Sequence, residues 1–180
     1  VLRRTISKAR ELGLEVAFVP SLQLERAGAR EWRGSLRPPS WRRWFEGYRR
    51  ELLHWARLAE DGGVSLLAVG SELSTADAEE ASWRALIRDV RAEFSGELTY
   101  SANWDHYDAV RFWDALDYVG LSAYFELTSS KEPTPEELQR AWRRKRGELA
   151  TWQHQRGLRR PFVLLEVGYP SLDGGAAQPW

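Results

Sequence analysis

The chain has 180 residues, which suits one domain or a part of a larger one, and a chain of this size can bury roughly 70% of its unfolded surface. Apolar residues make up 43% and charged residues 29%, the composition of a folded globular protein and not of a disordered one. Lys+Arg and Asp+Glu each number 26, and the zero formal charge argues against nucleic acid or an anionic membrane as the main partner, since both need a basic excess. No apolar run approaches the ~18 residues of a transmembrane helix. The absence of cysteine removes disulfides, thiolate nucleophiles and Cys-type zinc sites, and leaves the redox compartment and localisation open. Ten tryptophans are a heavy load, and aromatic rings also form stacking platforms for the flat C–H face of a pyranose. The chain begins at Val1, contains no methionine and enters a helical pattern without a signal peptide, so a fragment of a longer protein is expected.

In chain order, Leu2, Ile6, Ala9 and Leu12 have helical spacing, and Gly13 stops the helix. Residues 14–19 form a short apolar strand ended by Pro20. Residues 21–40, with Gly28, Gly34, Pro38 and Pro39, read as a loop long enough to imply a task. Ser40 is a candidate N-cap for an amphipathic helix carrying Trp41, Trp44, Phe45, Tyr48, Leu52, Trp55, Ala56 and Ala59, closed by Gly62 and Gly63. A strand follows at 64–70, then a helix marked by Trp83, Leu86, Ile87, Val90 and Phe94 and stopped by Gly96. The next strand is 97–102, a short helix is expected around Val110–Trp113, and a further strand spans 118–124. Thr134, Pro135 and Glu137 form a capping-box pattern for the last helix, which carries Leu138, Trp142, Leu149 and Trp152. The final strand is 161–165.

Strands alternating with helices predict parallel βαβ units, and the near-continuous apolar strands predict cover on both faces. Five strands fit either an open doubly wound sheet or five consecutive strands of an eight-stranded barrel. No glycine loop of the phosphate-binding type follows any strand, which removes the main support for a nucleotide-binding sheet.

Sites in parallel α/β folds lie at the carboxyl ends of the strands. Reading those ends gives Ser71 and Glu72, then Asn103, Trp104, Asp105, His106 and Tyr107, then Tyr124, Phe125 and Glu126, and finally Glu166, Gly168 and Tyr169. Glu166 interrupts an apolar run directly, where an unpaired buried carboxylate would be costly. The plain alternative is a glutamate satisfied by an arginine or a backbone cap. Glu72 likewise ends an apolar run, its alternative being a carboxylate that serves a helix dipole. Two carboxylates facing one cleft are the equipment of glycoside hydrolysis, one as acid/base and one as nucleophile. Asn103 suits a sugar hydroxyl or a turn; Tyr124 suits an orienting contact to Glu166 or a half-buried core position. Trp104 and Trp32 suit sugar stacking, whereas Trp44, Trp55, Trp83 and Trp142 lie on helical stripes and read as core. His54, His106 and His154 lack metal-ligand spacing, and no metal or organic cofactor is expected. The segment 120–124 lacks the second glycine of a nucleophile elbow. Arg140, Arg143, Arg144, Lys145 and Arg146 read as a solvated helix face.

At these residues the chain resembles glycoside hydrolase family 113, the β-mannanase-like members of the clan A (β/α)8 barrels. The matching pieces are WRRWFEGY at 41–48, AVGSEL at 68–73, LTYSANW at 98–104, FWDALDYVG at 112–120 and EVGY at 166–169, with Pro179 and Trp180 beyond. The resemblance implies a partial (β/α)8 barrel running from the helix before barrel strand three to just after strand seven, with residues 1–180 as a single catalytic-domain fragment. It implies that Glu72 is the acid/base, that Glu166 is the nucleophile, and that the enzyme is a retaining, endo-β-1,4-mannanase-like glycosidase. The partner would be a polysaccharide or oligosaccharide, bound with help from Asn103, Trp104, Tyr124, Tyr169, Trp32 and Trp180. Two departures bear on the substrate: Ser71 stands where the family pattern has threonine, and residues 19–23 are less polar than the family's segment there. The alternative reading is a non-catalytic carbohydrate-binding barrel relative; a third, an open-sheet interaction domain, would leave the two glutamates far apart.

Overall fold

The structure is a computed structural model that describes residues 1–25, 28 and 31–179. Helix α1 (Leu2–Glu11) precedes strand β1 (Ala17–Phe18). Helix α2 (Trp41–Gly62), strand β2 (Leu66–Ser71), helix α3 (Glu80–Glu93) and strand β3 (Glu97–Asn103) follow. Strand β4 (Val119–Ser122), helix α4 (Pro135–Gln155) and strand β5 (Phe162–Glu166) complete the order.

Local chemistry sets the helix limits. The Ser40 hydroxyl accepts the Arg43 N–H at 3.4 Å, and the left-handed Gly63 ends α2 with its N–H on the last carbonyls. Between them Phe45, Tyr48, Leu52, Ala56 and Ala59 recur every three or four residues on the buried stripe. In α4 the box is reciprocal: Glu137 N–H donates to Thr134 Oγ1 at 3.3 Å, and Thr134 N–H donates to Glu137 Oε2 at 2.8 Å, with Pro135 at the first helical position.

All five strands are parallel and lie in chain order β1-β2-β3-β4-β5. Helix α1 packs on α2 and α2 on α3, so consecutive crossovers lie side by side on one face. A doubly wound sheet would reverse its strand order and alternate its helices between faces. This arrangement is instead an arc of a (β/α)8 barrel wall. The core gathers between the helices and β2–β4 around Trp83, which is fully buried and meets Phe45, Tyr48, Tyr100 and Phe112 at ring-centroid distances of 5.2–6.1 Å. Trp44, Trp55 and Trp142 pack against this core from partly buried positions.

Three local expectations are corrected. The strand expected at 14–19 is reduced to Ala17–Phe18, the two residues that find ladder partners in β2, and Leu14 is exposed. The helix expected around Val110–Trp113 is a single 3-10 turn, Trp113–Ala115. Val110, Phe112, Trp113 and Leu116 are all buried, but their spacing is not that of one helical face, so the segment packs as an irregular strap. The final strand, expected to be covered on both faces, is only half-buried, and Leu164 retains 43% exposure beside a groove lined by Trp142, Leu149 and Phe162.

Strands β1 and β5 are edges, each with one neighbour among the described residues. Open edges present unpaired backbone groups, and closure into a barrel is what removes them. The 180-residue polypeptide by itself is therefore expected to self-associate, giving dimers or larger soluble species by light scattering. A monodisperse monomer with one cooperative thermal transition would contradict this.

Candidate active site

Strand β2 carries one extra residue near its end. Its register with β3 runs Leu66–Glu97, Leu67–Leu98 and Ala68–Thr99, then jumps to Ser71–Ser101. The bulge reverses the in-out alternation just before Glu72. Gly70 lies within it because a Cβ there would come within 2.9 Å of both Trp83 and Tyr100. Glu72 itself has φ 51°, the only positive φ among the described non-glycine residues. Such a conformation persists only where the surroundings hold it, and it is concentrated at functional sites. Here Glu72 N–H donates to Ser101 O at 2.8 Å and Leu73 N–H donates to Tyr100 Oη at 2.9 Å. The Tyr100 hydroxyl in turn donates to Asp77 Oδ1 at 2.7 Å.

Strand β5 has a matching irregularity. Leu121 pairs with Leu164, but Ser122 pairs with Glu166, so an extra residue precedes this glutamate as well. Tyr124, just beyond β4, donates its hydroxyl to Glu166 Oε2 at 3.2 Å. Burial, and next the charge of Glu166, raise the Tyr124 phenol above its ordinary value, so it stays a proton donor.

The two glutamates face one cleft of about 610 Å³, lined by Trp32, Arg33, Glu72, Asn103, Trp104, Tyr124 and Glu166. Glu72 is 7% exposed. Burial raises its proton affinity above the ordinary carboxylate value, against the opposing charge of Arg33 and a hydrogen bond from Ser122, with Glu166 and Asp105 adding repulsion. The Ser122 hydroxyl is fully buried and lies 3.0 Å from that of Ser101.

The expected site residues distribute as follows. Glu72, Glu166, Asn103, Trp104, Tyr124 and Trp32 all line the cleft, Trp32 with 40% of its surface exposed. Asn103 also braces its own turn, donating to Asp105 Oδ1 at 2.8 Å and accepting the Trp104 N–H at 3.1 Å. Tyr169 is not in the lining: its hydroxyl donates to Phe125 O at 2.9 Å, its ring packs edge-on against Trp142, and burial pushes its phenol up to about 12. Glu126 is exposed outside the lining. Trp180 lies outside the described residues. Among the described residues no cluster of His, Asp and Glu is arranged to hold a metal ion, and no helix is long and apolar enough to cross a membrane.

Sequence reasoning did not find Arg33, Ser122 or Asp77. Arg33 lies in the long loop and forms an ion pair with Glu72. The length of that loop was the available signal, but nothing local tells which of its arginines turns inward. Ser122 falls within the segment 120–124 set aside as a nucleophile elbow, and nothing local singles out Asp77.

Residues 1–180 match the profile of Glycoside Hydrolase Family 113 along their whole length, and the chain belongs to this family. It is similar to the structure of the family 113 β-mannanase AaManA from Alicyclobacillus acidocaldarius in complex with ManMIm, at 33% identity and a TM-score of 0.83, covering 99% of this chain and 54% of that one. A second family 113 β-1,4-mannanase is 29% identical with a TM-score of 0.82, covering 99% of this chain and 55% of that one. The β-glucuronidase of Ruminococcus gnavus, at 15% identity and a TM-score of 0.55 over 69% of this chain and 21% of that one, shares the fold alone. The chain thus spans about half the length of the solved family members, and its five strands form part of their barrel. No curated protein matches the chain.

The buried Asp77 makes a pH-dependent contribution to stability. Burial pushes its carboxyl up to about 7, against the hydrogen bond from Tyr100. A carboxyl whose folded value exceeds its unfolded one stabilises fully below the unfolded value and loses that contribution as pH rises through the folded one. Urea stability should therefore fall between about pH 4 and pH 7 more steeply in the wild type than in Asp77→Asn. Equal pH slopes in the two proteins would show that Asp77 is ionised throughout.

Proposed function

We propose that the protein containing this chain is a retaining glycoside hydrolase of the endo-β-1,4-mannanase type, with Glu72 as acid/base and Glu166 as nucleophile. The observation that carries this reading is the delivery of two carboxylates, by matching strand-end bulges, to one aromatic-lined cleft in which burial makes Glu72 hold its proton more tightly than an ordinary carboxylate. Acid and nucleophile must differ in protonation at one pH, and unequal environments achieve that. The mannan substrate is suggested by the two solved family members, both β-mannanases.

In the first step a Glu166 oxygen attacks the anomeric carbon while the bond to the leaving oxygen breaks and Glu72 donates its proton to that oxygen. Tyr124 holds Glu166 Oε2, which turns the other carboxylate oxygen toward the sugar. In the second step Glu72, now ionised, takes a proton from water as the water oxygen attacks the anomeric carbon and Glu166 leaves. Anomeric configuration is thereby retained. The Ser122 hydrogen bond and the Arg33 ion pair support the ionised form of Glu72 that this step requires. Trp32 and Trp104 line the cleft and are the residues suited to stack on its sugars.

In the intact enzyme, Glu166→Ala should abolish hydrolysis of an activated aryl β-mannoside, and azide should not restore a product of retained configuration. Glu72→Ala should slow mannan hydrolysis by about 10²–10⁴-fold. With the activated substrate, azide should rescue that variant and give a β-mannosyl azide, because the small anion replaces activated water in the second step. Full mannan activity in Glu72→Ala would refute its assigned role. In a crystal structure the two carboxyls should lie about 5–5.5 Å apart, the retaining separation.

A further inference from the structure

The long loop between β1 and α2 delivers a cation to one of the two glutamates. Arg33 sits on a 3-10 turn (Arg33–Ser35) that is locked on itself: Trp32 N–H donates to Ser35 Oγ at 3.1 Å, and Ser35 Oγ donates to Trp32 O at 2.9 Å. The turn is also tied to the segment that follows Glu72, since Thr75 Oγ1 donates to Leu36 O at 2.6 Å. Gly34 lets the loop close tightly, because the Trp32 ring occupies the space a Cβ would need. The loop and the acid-bearing turn are thus joined at two points, the Thr75 bond and the Arg33–Glu72 ion pair.

The pair is partly buried, with side-chain exposures of 24% for Arg33 and 9% for Glu72, so water screens it less than a surface pair. It uses one guanidinium nitrogen, and Arg33 Nε is buried with no hydrogen-bond partner among the described residues. Satisfaction of the arginine's own donors therefore does not explain the arrangement. The other groups that act on that carboxyl are Ser122 from β4, Glu166 from β5 and Asp105 from the turn after β3. Tyr124 stands nearby as a neutral phenol. Both carboxylates oppose ionisation of Glu72, so Arg33 is the cation that balances them.

We propose that Arg33 is a positioning residue, the built-in counter-ion of Glu72, which orients that carboxyl and sets the pH above which it no longer serves as an acid. The inference rests on the assignment of Glu72 as the acid/base. An opposite charge at ion-pair distance favours the ionised carboxylate by about one to three pH units. Arg33 thereby favours the base form needed in the second step and limits the acid form needed in the first. It makes the working pH range of the site depend on a loop and not on the barrel wall.

The test compares wild type, Arg33→Ala and Arg33→Lys in the intact enzyme by two readouts. One is the pH profile of kcat/KM on an aryl β-mannoside, whose basic limb reports the acid in the free enzyme. The other is the titration of Glu72 followed by carbon NMR of glutamate-labelled protein, with its signal assigned through Glu72→Gln. In Arg33→Ala the Glu72 midpoint and the basic limb should both move up by about one pH unit or more, and Arg33→Lys should bring both back toward the wild type. A midpoint and limb unmoved in Arg33→Ala, in a protein of wild-type circular dichroism, would overturn the proposal, as would a lysine variant that behaves like alanine. A wild-type enzyme without turnover whose Glu72 midpoint still responds to Arg33 would sink the glycosidase reading and leave the counter-ion standing.

Discussion

Side chains along a strand alternate between its two faces, and a single inserted residue reverses the alternation from that point onward. Two such insertions organise this molecule. One precedes Glu72 in β2 and the other precedes Glu166 in β5. Strand β2 can therefore keep its apolar residues buried along most of its length and still turn a carboxylate into the cleft at its end, and half-buried β5 delivers its carboxylate by the same device. The price of the first insertion is backbone strain at Glu72, held in the left-handed region. The hydrogen bonds from Glu72 and Leu73 into β3, and the buried Tyr100–Asp77 pair behind them, are what hold it.

This support explains where the polar residues of the core lie. Among the described residues, Ser71, Thr99, Ser101, Ser122 and Asp77 are the buried polar side chains apart from Glu72 itself, and all of them lie in β2, β3 and β4 or the turn after β2. A buried polar group is costly unless it finds a partner. Most of these have one: Ser101 with Ser122, Ser122 with Glu72, Asp77 with Tyr100. The packing around Trp83 then excludes water from the outer side of the same region. Rigidity and desolvation at Glu72 come from one set of contacts.

The electrostatic balance at Glu72 follows from that desolvation. Burial and the two neighbouring carboxylates work against its ionisation, while Arg33 and Ser122 work for it, and burial is the largest of these influences. Glu166 sits on a half-buried edge strand with a phenol donor, an environment of a different kind. Two carboxyl groups of the same chemistry thus meet different surroundings from their places in the arc, one enclosed beside a guanidinium and one on a half-buried edge beside a phenol.

Much of this was legible in the residues themselves. The Ser40 cap, the Gly63 stop, the Thr134–Glu137 box and the apolar runs locate α2, α4 and the strands, because helix capping and hydrophobic period are encoded within a few neighbouring residues. Glu72 and Glu166 stand out for the same local reason, each being a charge that ends an apolar run. What lies between elements was not legible. The strap at 104–118 has apolar residues without a helical period, and the length of β1 is set by the two residues that find partners in β2. The bulges are differences in register between two strands, and no single strand carries that information. The Arg33–Glu72 pair joins residues 39 positions apart, and the Tyr100–Asp77 bond joins residues 23 apart. Several arginines in the loop are equivalent by local chemistry. Only the closing of the loop on the turn after β2, through Thr75 and Leu36, decides that Arg33 is the one that meets the carboxylate.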